Sequence, residues 1–297
     1  MPTPIHFYSE GHRLVGDLYL PDGLQPGERR AGIVLCHGYT GVKDLYLPDN
    51  ARILNERGYV VLTFDYKGWG DSEGTKNRLN PYGRVADVQA AMTFLQLQEC
   101  VDEDKIGIFG TSYGGATVTW VGAVDKRAKC IVSSVGVAHG IRWMRSVRRP
   151  DEWMDMLELA RKDREQRVLS GKSEMGERND ILFLDRQSAA LAAEARAKNP
   201  NASNTLPLDY LDETLQFHPE WVVDKLAPTP ILFITTDDDR VVPEEESISL
   251  YEKAGEPKKL VTLKGVGHYE VYAEPALTQV MDETVAWFEQ YLPARGD

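Results

Sequence analysis

Six short runs rich in Val, Ile, Leu and Phe recur along the chain: GIVLCHG (32–38), YVVLTFDY (59–66), KIGIFG (105–110), KCIVSSVGV (129–137), PILFITT (230–236) and KLVTLKG (259–265). Their apolar positions are mostly contiguous, so each run reads as a strand covered on both faces, as in a parallel sheet. Helical periodicity fills several of the intervals, at 46–57, 83–99 and 113–124, and a last amphipathic helix is expected at 276–292. This alternation predicts an α/β fold: a mostly parallel central sheet with helices on both faces. Ahead of the first run, IHFYSEGHRLVGDLYLPDG (5–23) alternates apolar and polar positions around a Glu-Gly turn, the pattern of an antiparallel hairpin at the sheet edge.

Between 138 and 226 the rhythm breaks. No strand is expected there, only helical patterning and polar loops such as KNPNASNTLPLD. The division this suggests is an α/β core of residues 1–137 and 227–297 with a helical cap inserted at 138–226. One helix start is marked by RRPDEW, where Pro150 suits the first turn and the acids suit the helix dipole. After it, Trp153, Met156, Leu157 and Ala160 recur at helical spacing, as a core stripe or a substrate wall.

The length of 297 residues suffices for one large α/β domain or two modest ones. With 42% hydrophobic and 27% charged residues the composition is that of a packed globular chain, which excludes a disordered one. A formal net charge of -12 sets the chain against phosphate backbones and anionic membrane surfaces, so neither nucleic acid nor membrane is expected as a partner. The amino terminus lacks a basic start followed by an apolar stretch, and no run approaches the roughly 18 apolar residues of a membrane span. A cytoplasmic chain is the expectation. Cys36, Cys100 and Cys130 are scattered without metal-ligand spacing and read as free thiols in a reducing compartment. A homodimer is compatible with the sequence and not required by it.

Chemistry enters with GTSYG (110–114), which follows an expected strand and opens an expected helix. So sharp a strand-to-helix turn crowds the residues two before and two after the serine, which glycine relieves, and it projects the Ser112 hydroxyl from the sheet edge. Glycine-rich turns with serine also occur for purely structural reasons, so a nucleophile needs a base and an orienting acid. Of six histidines, His268 in LKGVGHYEV lies just past the last strand at that same edge. His37 suits a role in loop structure, while His6, His12, His139 and His218 fall in the hairpin or the insertion. The acid is expected between serine and histidine in chain order, where TTDDDRVVP offers Asp237, Asp238 and Asp239. A short turn fixed by Val242 and Pro243 selects Asp239, with Asp238 as the fallback. HGYTG (37–41) supplies a glycine-bearing loop whose amides can face the nucleophile, and the amides of Tyr39 and Tyr113 are the expected oxyanion donors.

On these residues the chain resembles the α/β-hydrolase superfamily across nearly its whole length, the carriers being HGYTG, DYKGWGDSEG, GTSYGG, DRVVP and GVGH. It looks most like the serine esterase and peptidase-like branch that includes dienelactone-hydrolase-like and fungal polyketide-transferase-like proteins. The resemblance implies Ser112 as nucleophile, His268 as base and then acid, Asp239 as its orienter, and Tyr39 and Tyr113 as oxyanion donors. Serine stands where dienelactone hydrolases carry cysteine, and the aspartate nucleophile of haloalkane dehalogenases is missing. Asp71 and Ser72 of GWGDSEG are read as turn caps. The expected activity is cleavage of a small-molecule ester or amide through an acyl-enzyme, with no metal or other cofactor. Peptidase or amidase action, acyl transfer and a receptor role are the alternatives. In the insertion, Arg142, Arg145, Arg148 and Arg149 could meet a substrate carboxylate or form a solvated helix face, and Trp143 and Trp153 could line an acyl site.

Overall fold

The computed structural model describes residues 2–295. The chain opens with β1 (Thr3–Ser9) and β2 (His12–Tyr19), an antiparallel pair with Thr3 opposite Leu18 and Ser9 opposite His12. Both turn residues, Glu10 and Gly11, have positive φ, as a two-residue hairpin turn requires. There follow β3 (Arg30–Cys36), α1 (Leu47–Glu56), β4 (Val60–Phe64), α2 (Pro81–Gln96), β5 (Val101–Thr111), α3 (Tyr113–Val124) and β6 (Ala128–Ser134). The segment after β6 carries α4 (Gly140–Ser146), α5 (Pro150–Ser170), β7 (Met175–Glu177), α6 (Arg178–Ile181), α7 (Arg186–Ala197), β8 (Thr205–Pro207) and α8 (Tyr210–Leu215). The chain then returns through β9 (Ile231–Thr236), α9 (Glu244–Lys253), β10 (Lys258–Leu263) and α10 (Ala276–Tyr291).

Eight strands form one sheet in the order β1-β2-β4-β3-β5-β6-β9-β10. The hairpin is antiparallel, and every pairing from β4 to β10 is parallel. The contiguous apolar runs have a direct cause in the layering. On β3, Val34 and Cys36 join the layer containing Val88, Met92 and Val121 of α2 and α3, while Ile33 and Leu35 join the layer containing Leu54 of α1 and Val285 and Phe288 of α10. Alternate residues face opposite layers, so both must be apolar.

The expected elements are present with shifted ends. The helix expected from 83 begins at Pro81, because Asn80 caps it by accepting from the Gly83 amide at 2.7 Å. The strand expected through 137 ends at Ser134, where Val135 turns to positive φ. Against the expectation of no strand between 138 and 226, β7 and β8 form a short antiparallel pair. Three residues each are too few to show a period. The α5 stripe is core: Met156 and Ala160 are buried in the main cluster, with Trp153 and Leu157 packed against it. All three cysteines are free, and no described helix is long and apolar enough to cross a membrane.

Phe288 is fully buried under the sheet, so Phe288→Ala should cost about 3–5 kcal/mol of unfolding free energy in urea titrations. A loss below about 1 kcal/mol would contradict the role given to α10 as the cover of that face.

Candidate active site

Strand β5 runs directly into Ser112, and α3 starts one residue later. Ser112 sits at φ 56 and ψ -123, a conformation that costs a non-glycine residue about 1–3 kcal/mol unless its surroundings impose it. They do. A Cβ on Gly110 would stand 2.2 Å from the Gly114 carbonyl oxygen, and one on Gly114 would stand 2.2 Å from that of Cys36 at the end of β3. The Ser112 amide donates to the Ser134 carbonyl at 2.8 Å, which ties the turn to β6. The expected strand-turn-helix elbow is therefore formed, with glycine at both crowded positions.

The three expected side chains meet there. His268 follows β10, and its Nε2 lies 3.0 Å from Ser112 Oγ while its Nδ1 lies 2.6 Å from Asp239 Oδ2. An ionised carboxylate only accepts, so Nδ1 carries the proton toward Asp239 and Nε2 is left as the acceptor for the serine hydroxyl. The other Asp239 oxygen accepts from the amides of Val241 at 2.8 Å and Val242 at 2.7 Å, which fixes the carboxylate plane. Trp143 Nε1 donates to the Val241 carbonyl at 2.7 Å and so braces the same turn. The neighbouring acids have other tasks. Asp237 accepts from the Gly265 amide at 2.6 Å, tying β9 to the loop that carries His268, and Asp238 stands beside exposed Arg240.

The HGYTG loop lies against the nucleophile: a Cβ on Gly38 would be 3.1 Å from Ser112 Cβ. Buried Arg84 donates through Nη1 to the carbonyls of Gly38 at 3.2 Å and His37 at 3.4 Å. In a trans peptide C=O and N–H point to opposite sides, so the Tyr39 amide faces away from the guanidinium. It has no backbone acceptor among the described residues. The Tyr113 amide belongs to the first turn of α3, whose donors have no partner within the helix. His37 is buried, and burial first, with the Arg84 charge second, holds its pKa well below the usual histidine range. It is neutral and, as expected, part of the loop structure.

GWGDSEG is likewise structural. Ser72 Oγ donates to the Asp65 carbonyl at 2.7 Å and accepts from the Val15 amide at 2.9 Å, and the Asp71 amide donates to the Asp65 carboxylate at 3.2 Å. Burial raises the Asp65 pKa to about 6.

Beside Ser112 is a cavity of about 30 Å³, with Tyr46, Tyr269 and Tyr272 on the core side. Arg178, Leu182, Ala192 and Arg196, from the segment between β6 and β9, form its other wall. Trp143 and Trp153 do not line it, and neither do the four arginines that the sequence brought forward. Arg142 pairs with Glu220 and Glu246, Arg149 pairs with Glu152, Arg148 donates to the Met144 and Ile181 carbonyls, and Arg145 is exposed. The cationic groups that do face Ser112, Arg178 and Arg196, sit in no motif. Tyr269 is the one newly found residue with a local signal, since it directly follows His268.

Comparison with known proteins bears on the family and the fold. The chain is 31% identical over 261 residues, 88% of its length and 91% of the relative's, to an uncharacterised 31.7 kDa protein of the traX-finO intergenic region in Escherichia coli. It is 27% identical over 231 residues to a thiohydrolase of Eupenicillium brefeldianum, covering 74% of this chain and 72% of that one. A crystal structure of the α/β hydrolase GrgF from Penicillium superposes over 98% of this chain and 99% of the other with a TM-score of 0.80, at 23% identity. The family model described as serine aminopeptidase, S33, matches residues 27–276. With that match spanning the parallel strands β3 to β10, the elbow and the histidine loop, the chain belongs to the serine aminopeptidase S33 family of α/β hydrolases.

Proposed function

We propose that the protein is a serine hydrolase that cleaves carboxylic esters of small organic acids through an acyl-enzyme. The observation that carries this reading is the continuous contact from Asp239 to His268 Nδ1 at 2.6 Å and from His268 Nε2 to Ser112 Oγ at 3.0 Å, all three residues being buried. In the proposed cycle His268 Nε2 takes the Ser112 proton as Oγ adds to the substrate carbonyl. The carbonyl electron pair becomes an oxyanion held by the Tyr39 and Tyr113 amides. When the tetrahedral centre collapses, the C–O bond to the alcohol breaks and His268 delivers the proton to the leaving oxygen. Water then repeats both steps and releases the acid. Asp239 holds the tautomer and stabilises the imidazolium without taking up a proton.

Arg84 enters this scheme as a positioning residue. It touches no reacting atom, but by engaging the Gly38 carbonyl it orients the Tyr39 amide and strengthens its dipole toward the pocket. Residues 138–226 serve as a cap on a core formed by 1–137 and 227–297. Arg178, Leu182, Ala192 and Arg196 of that cap wall the cavity opposite the core, so the cap sets which acyl groups reach Ser112. Thioesters are the second substrate class, favoured by the likeness to a thiohydrolase. The same triad would attack them, and an alcohol or amine in place of water would turn hydrolysis into acyl transfer.

A steady-state screen of p-nitrophenyl esters, matching anilides and acyl thioesters, comparing wild type with Ser112→Ala, tests the proposal. The variant should lose at least about 10³-fold in kcat/KM, and Asp239→Asn about 10³–10⁴-fold in kcat. Turnover that survives Ser112→Ala would overturn the mechanism. For Arg84→Gln in protein that remains folded by circular dichroism, kcat should fall about tenfold or more with KM within about threefold of wild type. A rise in KM at unchanged kcat would remove Arg84 from the oxyanion site.

A further inference from the structure

The charge distribution around the cavity beside Ser112 is unusual for a chain whose net charge is -12. Arg178 is 3% exposed and, among the described residues, donates to neutral acceptors: Thr40 Oγ1 at 2.9 Å, Asn179 Oδ1 at 2.9 Å and the Tyr269 hydroxyl. Arg196 is only partly exposed and does the same, to Asn204 Oδ1 at 3.0 Å, Thr40 Oγ1 at 3.4 Å and the Thr40 and Ser203 carbonyls. Both guanidinium groups thus converge on one threonine, and among the described side chains no carboxylate lies within 4.0 Å of either. Elsewhere in the same segment Arg142 pairs with Glu220 and Glu246, and Arg164 and Arg167 pair with Asp212, while Arg148, away from the cavity, donates to the Met144 and Ile181 carbonyls.

Two like charges held together in a largely dry site, with no counter-ion among the described side chains, carry a desolvation and repulsion cost that an anion would relieve. The strain registers on Arg196, whose pKa is drawn down to about 10 by burial first and by the Arg178 charge second. Of the five N–H groups of the Arg178 guanidinium, three are used on neutral oxygens, and two have no partner among the described residues. Thr40 is the next residue after Tyr39, which puts this charge against the loop that would hold the oxyanion.

We infer that Arg178 and Arg196 form a carboxylate subsite next to Ser112, so that the preferred substrates are half-esters of short dicarboxylic acids, with the free carboxylate on the arginine pair and the ester carbonyl at Ser112. This rests on the reading of the cavity as the place where an acyl substrate binds. It gives the pair a specificity role distinct from Arg142, Arg148 and Arg149, which are turned to other partners, and from exposed Arg145. Planar forked donors suit a carboxylate, whose two oxygens each accept in the guanidinium plane.

The test separates binding from turnover. Calorimetric titration of the full-length Ser112→Ala protein with monomethyl glutarate and with dimethyl glutarate should show the mono-ester binding at least about tenfold more tightly. Arg196→Gln in that background should reduce the preference to about twofold or less, with Arg196→Lys in between. Should Arg196→Gln fail to fold, Arg178→Gln supplies the same comparison, because it too removes one guanidinium and its charge. Equal affinities, or a preference that survives these substitutions, would overturn the subsite. A pH-stat assay of wild type on the same two esters keeps the two claims apart. Hydrolysis of both with no charge preference sinks the carboxylate subsite and leaves the hydrolase reading intact. An Arg196-dependent binding preference without hydrolysis of either ester sinks the hydrolase reading and leaves the anion site standing. If Arg196→Gln slows both esters equally while the binding preference persists, the arginines assist the chemistry electrostatically and the subsite is overturned.

Discussion

Everything at the site depends on one strained residue. Ser112 holds a left-handed backbone because β5 ends and α3 begins within a single residue, and the turn is pressed between the ends of β3 and β6. The cost of about 1–3 kcal/mol for such a conformation is tolerated because the sheet beneath is covered on both faces and cannot yield locally. Glycine at 110 and 114 follows from the same crowding, since a Cβ at either would meet backbone oxygen at 2.2 Å. The strain also sets the direction of the hydroxyl, and with it which loops can reach: the one after β3, the one after β9 and the one after β10.

Around that point, the Asp239 carboxylate is satisfied by neighbours that also set its geometry. Asp239 uses one oxygen on two amides of its own turn and the other on His268, and Trp143 braces the turn from the far side. Arg84 lies beneath the HGYTG loop with its guanidinium 4.3 Å from the Tyr66 ring centroid, where a cation over an aromatic face recovers part of its desolvation cost. In the proposed mechanism, charge is thus fixed before substrate arrives, so little reorganisation is needed as an oxyanion forms.

The layered sheet was readable because each strand feeds two helical layers and so must be apolar at successive positions. Ser112, Asp239 and His268 were readable for a related reason: each sits just past the carboxyl end of a strand, within a short pattern of glycine, valine or proline that the turn requires. Element ends were less accessible, since Asn80 at α2 and Val135 after β6 decide them through single capping or turning residues. The paired strands β7 and β8 are too short to carry a period. The arginines show the deeper limit. Nothing local distinguishes Arg178 and Arg196 from Arg142 and Arg149, and only folding determines which of them finds a carboxylate and which faces the cavity. Arg84 was hidden in the same way, inside a helix whose periodicity says only that the residue lies on it.

The central claim is that Ser112 is activated by His268, and labelling with a fluorophosphonate followed by intact-mass and peptide mass spectrometry tests it most directly. The account predicts one adduct per chain, on the peptide containing Ser112, formed rapidly in wild type and lost in His268→Ala. An unlabelled wild-type protein, a label on another residue, or labelling at the same rate in His268→Ala would contradict it.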